Sequence, residues 1–326
     1  MVWKSPSDHR RVVYGLGSVS RVPARRGVQP DRVPQVVEAV ARISALPRVW
    51  SHTATITGVS ALSDKFAITN DAGELTYSSQ STARTSVQSP IAGIDGCRRG
   101  WLVALEAGDR GNGSISLEVI ASAAELFTRW PDLSLAVIDI PIGLTERTPR
   151  KADTLARRYL GVRGCTVFPA PYRAMLSTAG QVPELGQIEA SNIRRSLDGK
   201  GCSRQAYMIF DKIKDVDTVI TPALQSKVVE GHPEVSFATM RGGTAMPNRK
   251  ASAAGRAERL QALAPVFGDV SLFLATGRSL GVEADDVLDA FAMLWTARRL
   301  RDGVQTLRLP DPAEPVGANL CAQIVA

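Results

Sequence analysis

Residues 91–140 give the clearest structural signal in the chain: IAGIDGCRRGWLVALEAGDRGNGSISLEVIASAAELFTRWPDLSLAVIDI. Residues 91–95, 101–106 and 114–121 are short apolar runs separated by turn residues, among them the Gly/Asn/Asp-rich turn GDRGNG. Runs of this length between turns are typical of strands. The first part of the segment therefore predicts a meander of three strands.

A helix and a fourth strand are predicted in the remainder of the segment. Ser122 precedes Glu125 by three residues in SAAELFTRW, which is the spacing of a capping box at the start of a helix. Residues 135–140, LAVIDI, are apolar without alternation, as expected of a strand buried on both faces. This order of elements matches the ribonuclease H type of fold, in which a helix joins a three-stranded meander to a central parallel strand.

The chain beyond residue 140 predicts a fifth strand and further helices. The helices are predicted at residues 152–160, 203–217, 252–263 and 282–301, and the strand at residues 226–229. Gly161 is a good stop for the first of these helices, and Ser203 is a good cap for the second. The fold class predicted is therefore α/β, with a ribonuclease H-like mixed five-stranded sheet flanked by helices.

Residues 1–89 are predicted to be a poorly structured extension before this domain. Residues 33–46 have helical spacing, and residues 78–90 are rich in Ser and Thr as in a linker. Residues 1–90 hold 11 of the 39 basic residues and 6 of the 32 acidic ones, so +5 of the net charge of +7 lies there. A basic arm can hold a phosphate backbone, but GC-rich coding, which produces arginine by default, also explains the excess. We place the domain boundary at residue 90, with the ribonuclease H-like domain over residues 90–326.

The composition excludes several classes of protein. The 326 residues are 44% hydrophobic and 22% charged, as in ordinary globular chains, and no apolar run reaches the roughly 18 residues of a membrane span. The start, MVWKSPSDHRR, lacks the apolar core of a secretory signal. The four cysteines form no CxxC pair, which argues against a zinc ribbon and favours free thiols in a reducing compartment. We therefore expect a cytoplasmic protein without a membrane partner.

Acidic residues follow several of the predicted strands. Asp95 ends the first strand and Asp139 lies near the end of the buried fourth one, while Glu230 and His232 follow the fifth. A carboxylate inside an apolar strand needs a partner, because an unpaired buried charge is costly or becomes neutralised. Simpler explanations stay open, since Asp before Gly is common in turns and a salt bridge to an arginine would account for Asp139.

The last predicted helix begins with Asp285, Asp286 and Asp289 in EADDVLDAFAMLWTA. The helix dipole favours acids in the first turn, which explains one or two of them without any chemistry. However, Asp286 and Asp289 are about 60° apart around the helix and share a face. Residues 290–297 are apolar or small nearly all round, which predicts a buried helix. A buried helix that projects two acids along one face is a candidate cation site.

Asp95, Asp139, Asp286 and Asp289 would together supply four carboxylates from three elements. Oxygen ligands suit Mg²⁺ or Mn²⁺, and two such ions about 4 Å apart activate a water and stabilise the leaving oxygen of a phosphodiester. We therefore expect two Mg²⁺ or Mn²⁺ ions. His232 would bind a phosphate or shuttle a proton, or it would only cap the following helix. Zinc is disfavoured, because the three histidines and the cysteines lie far apart.

The same motifs resemble those of a known family. GIDGCRRGW, DIPIGL, TVFPAPYR, EGHPEVSF and DDVLDAFAMLWTA occur in this order, with a helix through Asp153 and Arg157, Gln205 with KIKDVD, and Lys250 with GRAERL. Over about residues 91–300 the chain resembles the domain of unknown function 429 family, described as predicted nucleases with a ribonuclease H fold. The D-x-x-D-A sequence in the last helix also resembles the motif of RuvC-type junction resolvases.

This resemblance implies a set of metal-binding residues. They are Asp95, Asp139, Asp286 and Asp289, with Glu230 as a further ligand. The chain departs from the family pattern at Arg99, where glycine is usual, and at Gly231, where a β-branched residue is usual.

Basic side chains near the motifs fit phosphate binding. Arg98, Arg173 and Lys250 are the predicted substrate contacts, since lysine and arginine commonly bind backbone phosphates. The alternative is that each of them is an ordinary solvated charge on the protein surface.

Three functions are compatible with these residues. The first is a metal-dependent nuclease that hydrolyses phosphodiester bonds of DNA or RNA, with Asp95, Asp139, Asp286, Asp289 and His232 as its catalytic residues. The second is a non-catalytic module on the same fold that binds nucleic acid or protein and keeps the acids for stability. The third is a phosphotransferase of the related sugar-kinase-like fold, although a bulky Trp101 follows GIDGCRRG and no second glycine-rich loop is present. Nucleic acid is the expected partner.

Overall fold

The computed structural model describes residues 66–69, 75–78, 89–108 and 113–326. Strands β1 (Phe66–Thr69) and β2 (Leu75–Ser78) pair in antiparallel fashion and belong to a compact unit separate from the one that contains the residues from 89 onward. The helix predicted at residues 33–46 and most of the predicted linker lie outside the described residues. The domain boundary at residue 90 stays a prediction.

The larger unit is built on a mixed sheet of five strands. They are β3 (Ile91–Cys97), β4 (Gly100–Ala107), β5 (Ser114–Ile120), β6 (Leu135–Ile138) and β7 (Val228–Glu230). The order across the sheet is β5-β4-β3-β6-β7; β3, β4 and β5 form the antiparallel meander, and β6 lies parallel to β3 and to β7. Helix α1 (Ala123–Arg129) connects the meander to β6. The ribonuclease H-like arrangement expected from the sequence is therefore confirmed.

Nine further α-helices and a hairpin follow β6 within the described residues. The helices are α2 (Lys151–Leu160), α3 (Pro183–Asp198), α4 (Arg204–Tyr207), α5 (Phe210–Asp217), α6 (Pro222–Gln225), α7 (Pro233–Met240), α8 (Ala253–Phe267), α9 (Ser271–Ser279) and α10 (Ala284–Arg301), and the hairpin pairs β8 (Arg308–Pro315) with β9 (Cys321–Val325).

Helices cover both faces of the sheet. On one face, Ile94, Trp101 and Ile138 pack with apolar residues of α1 and α5. On the other face, Leu102 and Val137 pack with α10 and with residues of α8. Both faces of β3 and β6 are thus removed from water, which explains why these strands are apolar without alternation.

Helix α10 crosses β3 at Gly93 with no side chain between the two backbones. A Cβ atom at Gly93 would lie 2.0 Å from Leu294 N and 2.2 Å from Ala290 O. The helix is buried from Val287 to Ala297, as its sequence predicts. Glycine at position 93 therefore fixes how closely the helix approaches the strand.

The structure differs from the prediction at the helix of residues 203–217 and at the start of α1. The helix predicted at residues 203–217 is divided into α4 and α5, although Ser203 does cap α4 by accepting a hydrogen bond from the Ala206 N–H. Ser122 precedes α1 as predicted, but its side chain makes no capping bond. Instead, Glu125 Oε2 accepts a hydrogen bond at 2.6 Å from the N–H of Ala121, which lies one residue before the N-cap and is not the N–H that a capping box uses.

Two compositional expectations can also be compared with the structure. All four cysteines are free, as predicted. Within the part of the chain that the structure describes, no single helix is both long enough and apolar enough to cross a membrane.

Candidate active site

Asp95 and Asp139 lie side by side near the carboxyl ends of β3 and β6. Ile94 pairs with Ile138 across these parallel strands, and the Asp139 N–H donates to Ile94 O at 2.9 Å. Successive side chains of a strand point to opposite faces. Because Ile94 and Ile138 face α1 and α5, the two aspartates leave the sheet on the face that α10 covers.

Helix α10 brings Asp286 and Asp289 to the same place. Ala290 packs against Gly93, which lies two residues before Asp95 and on the same face of β3. The residues one turn earlier in α10 therefore come to lie beside Asp95. Repulsion from Asp289, Asp139 and Asp286 contributes to the raised pKa of Asp95, which places all four carboxylates in one cluster.

Burial raises the pKa of every acid in the cluster, and repulsion from neighbouring carboxylates adds to this effect. Asp289 is 2% exposed and Asp95 is 7% exposed, whereas Asp139 and Asp286 are partly open to solvent. Burial, followed by repulsion from Asp289 and Asp139, raises the pKa of Asp95 well above its usual value. Burial is also the main cause that raises the pKa of Asp139 to about 7 and those of Asp286 and Asp289 to about 6. The cluster is electrostatically unfavourable when fully ionised, which favours binding of a cation.

Lys250 brings a positive charge into this cluster. Its Nζ lies 2.6 Å from Asp289 Oδ2, and the same charge lowers the pKa of Asp95, Asp139 and Asp286. Asp289 is in turn the main cause that raises the pKa of Lys250. The Lys250 side chain is 47% exposed and reaches Asp289 from the solvent side. The residue predicted as a phosphate contact thus lies in the site, bound to one of the acids.

Glu230 does not join the cluster, and its predicted role as a metal ligand is not supported. It pairs with Ile138, whose side chain faces away from Asp139. Its Oε2 accepts hydrogen bonds from Arg150 Nη2 at 2.6 Å and from the Ile142 N–H at 2.8 Å. Both side chains are buried, at 1% and 4% exposure for Arg150 and Glu230. Glu230 is therefore the partner of a buried arginine, which is a structural role.

His232 stands at the N-cap of α7, close enough to the cluster for Asp289 and Lys250 to act on its charge. Its side chain makes no capping hydrogen bond, and its Nδ1 is buried without a hydrogen-bond partner. Burial lowers the pKa of His232, while Glu234 and Asp289 oppose this change. A neutral imidazole with one free nitrogen is chemically able to accept a proton.

The other two predicted phosphate contacts are placed differently. Arg173 forms a two-point ion pair with Asp217, with Nη1–Oδ2 at 2.7 Å and Nη2–Oδ1 at 3.0 Å. This guanidinium is already occupied, so its predicted contact with substrate is not supported. Arg98 is exposed in the turn between β3 and β4, just beyond Asp95, where a substrate contact stays a prediction.

Glu234 is a site neighbour that the sequence did not single out. It lies in the first turn of α7, is 5% exposed and acts on the charges of Asp139, Asp289 and His232. Its Oε1 is bound by the Arg259 guanidinium, while its Oε2 is buried without a hydrogen-bond partner. Pro233 is typical of the first position of a helix, so the sequence could have placed Glu234 in the first turn of a helix beside His232.

The donors of the cluster fit Mg²⁺ or Mn²⁺ chemically, because all four are carboxylate oxygens. The unpartnered Glu234 Oε2 and His232 Nδ1 add polar atoms beside them. In the conformation described, where Asp289 binds Lys250, no group of three His, Cys, Asp or Glu side chains among the described residues is arranged to hold an ion. Metal binding is therefore a proposal.

The fold and the cluster together define a class: an α/β domain of ribonuclease H-like architecture with acids gathered at the carboxyl ends of its central strands. Residues 93–315 match the family model described as "Protein of unknown function (DUF429)". The chain belongs to this family, as the motifs predicted. Comparisons with curated proteins and with solved structures give no match.

Proposed function

We propose that the protein is a metal-dependent nuclease that hydrolyses phosphodiester bonds of DNA or RNA. The observation that carries this proposal is the convergence of four carboxylates from β3, the end of β6 and the start of α10. Burial raises the pKa of each of these acids. Strongly perturbed acids gathered at the end of a sheet are typical of functional sites.

Mg²⁺ or Mn²⁺ would be held by Asp95, Asp139, Asp286 and Asp289, and when bound would supply an activated water and charge stabilisation. The register of β3 with β6 and the contact of α10 with Gly93 orient the carboxylate oxygens of these acids. Release of Asp289 from Lys250 would free the ammonium group for a phosphate oxygen of the substrate, in keeping with the predicted role of this lysine.

His232 would hold or move a proton in this reaction. Its lowered pKa keeps the ring neutral at pH 7, and its Nδ1 has no hydrogen-bond partner. A positioned neutral imidazole is the commonest proton acceptor in enzymes. Glu234, which opposes the effect of burial on His232, would favour the protonated ring after transfer.

Calorimetric titration of Mn²⁺ and Mg²⁺ into the full chain tests the metal site first. Saturable binding is expected in the wild type and in Asp285→Asn, a neighbouring acid outside the cluster. Asp95→Asn is expected to weaken binding at least about tenfold, since loss of even an outer-shell partner has an effect of this size. Equal binding by Asp95→Asn and the wild type would contradict the assignment.

Cleavage of labelled DNA and RNA oligonucleotides then tests the activity. Cleavage is expected to require the metal, to be abolished in Asp95→Asn and to persist in Asp285→Asn. The fold of Asp95→Asn is checked by its thermal unfolding curve, since asparagine resembles the protonated aspartate in size.

The Lys250–Asp289 ion pair favours one alternative, a non-catalytic module that binds nucleic acid or protein. A lysine that permanently occupies Asp289 would leave an incomplete metal site. This alternative predicts nucleic-acid binding that is unaffected by chelator and by Asp95→Asn. If the protein neither cleaves nor binds nucleic acid but binds ATP saturably, the sugar-kinase-like phosphotransferase is favoured instead.

A further inference from the structure

A second candidate site lies apart from the carboxylate cluster. A cavity of about 300 Å³, open to solvent on one side, is bordered by α2, by the segment from residue 166 to 173 and by the end of α3. Its lining is Pro149, Asp153, Thr154, Arg157, Pro169, Ala170, Tyr172, Arg194 and Lys200. None of the four clustered aspartates lines it. Two of the family motifs, the helix through Asp153 and Arg157 and the TVFPAPYR segment, form its walls without any part in the proposed catalysis.

Hydrogen bonds fix the walls of this cavity. Asp153 Oδ2 accepts from the Ala170 N–H at 2.8 Å, which ties α2 to the TVFPAPYR segment. Tyr172 donates its hydroxyl to Asp198 Oδ2 at 2.8 Å, which ties that segment to α3. The Lys200 N–H donates to Asp198 Oδ1 at 2.9 Å. The cavity is therefore formed before any ligand binds, as most small-molecule sites are.

The charge of the lining is positive. The lining contains three cations, Arg157, Arg194 and Lys200, and one carboxylate, Asp153. Asp153 already has two partners, Arg150 Nε at 3.7 Å and the Ala170 N–H at 2.8 Å. Arg194 is partly balanced by Asp198, with Nε–Oδ2 at 3.4 Å.

Arg157 and Lys200 are not balanced in this way. Across residues 89–108 and 113–326, no carboxylate lies within 4.0 Å of either cation. Within these residues, the Arg157 guanidinium donates a hydrogen bond to the neutral carbonyl of Val167 at 2.6 Å. Most of its donors, and the Lys200 ammonium, are available to an anion.

We infer that this cavity binds a small organic phosphate of about mononucleotide size. Arg157 and Lys200 are the partners of the phosphate, because guanidinium and ammonium groups form charge-assisted hydrogen bonds with its oxygens. Pro149, Pro169 and the ring of Tyr172 provide apolar wall for the organic part. The volume lies at the lower end of the range of small-molecule sites, roughly 300–1,000 Å³. The phosphate group belongs either to a free mononucleotide or to the phosphorylated end of a strand, and the site does not depend on nuclease activity.

Calorimetry with the full chain in the presence of EDTA tests this inference, because chelation removes binding of phosphate through metal ions. The probes are AMP, GMP, CMP and UMP, with adenosine and inorganic phosphate for comparison. At least one nucleotide is expected to bind saturably, and more tightly than adenosine and inorganic phosphate. Arg157→Gln and Lys200→Gln are each expected to weaken binding about tenfold or more. Arg158→Gln, on the same helix but outside the cavity lining, is the matched control and is expected to bind as the wild type does.

Lys200→Gln keeps the test decisive if Arg157→Gln does not fold, because the Lys200 side chain is exposed and has no structural contact in the described residues. Binding equal to wild type in Lys200→Gln, equal loss in Arg158→Gln, or no binding of any nucleotide would overturn the inference. Competition by a 5′-phosphorylated oligonucleotide, but not by its 5′-hydroxyl form, would identify a strand end as the source. Binding of mononucleotides without such competition would identify the free ligand.

Discussion

At the scale of single residues, the contact between Lys250 and Asp289 controls the charge of the candidate active site. Lys250→Met is expected to lower the free energy of unfolding at pH 8 by roughly 1–3 kcal/mol, because Asp289 is 2% exposed and would lose its ionic partner. The loss should shrink at pH 5, where the clustered acids hold protons. Urea unfolding at both pH values measures the effect.

Lys227→Met serves as the control for this substitution, since Lys227 is exposed and distant in sequence from the cluster. A loss of stability in Lys250→Met that is the same at pH 5 and pH 8 would show that the lysine packs without acting as a counter-ion.

The raised pKa values of the same acids predict how stability depends on pH. Their pKa is about 6 to 7 for Asp139, Asp286 and Asp289 in the folded chain, above the usual value of 3.8 that applies when the chain unfolds. The folded state therefore holds protons that the unfolded state has released, so the cluster lowers stability as pH rises from about 4 to about 7. Bound Mn²⁺ would offset this repulsion. Mn²⁺ is expected to raise the melting temperature more at pH 8 than at pH 5, and calorimetric melting curves with and without EDTA provide the measurement.

At the scale of secondary-structure elements, the crossing of α10 over β3 at Gly93 is the most constrained contact. Gly93→Ala is expected to destabilise the fold by at least about 3 kcal/mol, because its Cβ would overlap the backbone of Leu294 and Ala290. Gly96→Ala is the matched control in the same strand, since a Cβ there has its nearest neighbours, Lys212 and Trp101, at 3.8 Å. Chemical denaturation of both variants compares them. Similar stability of the two would mean that α10 can shift without cost.

The elements also show how far the sequence could predict the site. The structure brings Asp95, Asp139, Asp286 and Asp289 together, as expected from the apolar runs that define β3, β6 and α10 and from the acids at their ends. Glu230 was grouped with them wrongly. The fifth strand was predicted at residues 226–229, whereas β7 spans Val228–Glu230 and sets Glu230 in register with Ile138. A one-residue shift in register moves a side chain to the other face of the sheet, and the pattern of three residues does not fix the register.

Partners that are distant in sequence were also beyond prediction. Lys250 was assigned to substrate phosphate, although in the structure it lies on Asp289, 39 residues away. Arg173 was given the same role, but it is held by Asp217. A basic residue in a sequence carries no sign of which acid the fold will bring to it, so contacts of this kind depend on tertiary packing.

At the scale of the whole molecule, the ribonuclease H-like domain is expected to fold without the preceding residues. The sheet order and the two core clusters on its faces are formed by residues from Ile91 onward in the described part of the chain. A protein of residues 90–326 is therefore predicted to unfold cooperatively at nearly the melting temperature of the full chain and to bind Mn²⁺ equally well. Differential scanning calorimetry and the metal titration compare the two. Loss of cooperative unfolding in the shorter protein would place the boundary elsewhere.

The direct contact of α10 with β3 has a consequence for how such a protein can change over evolution. The interval between Asp95 and the acids of α10 is determined where two backbones touch, at Gly93, so no side chain acts as a spacer there. A side chain of any size at position 93 would widen this interval, whereas substitutions elsewhere in the core add no atom between the two backbones at the contact. Position 93 is therefore expected to stay glycine in any relative that keeps the spacing of its acids.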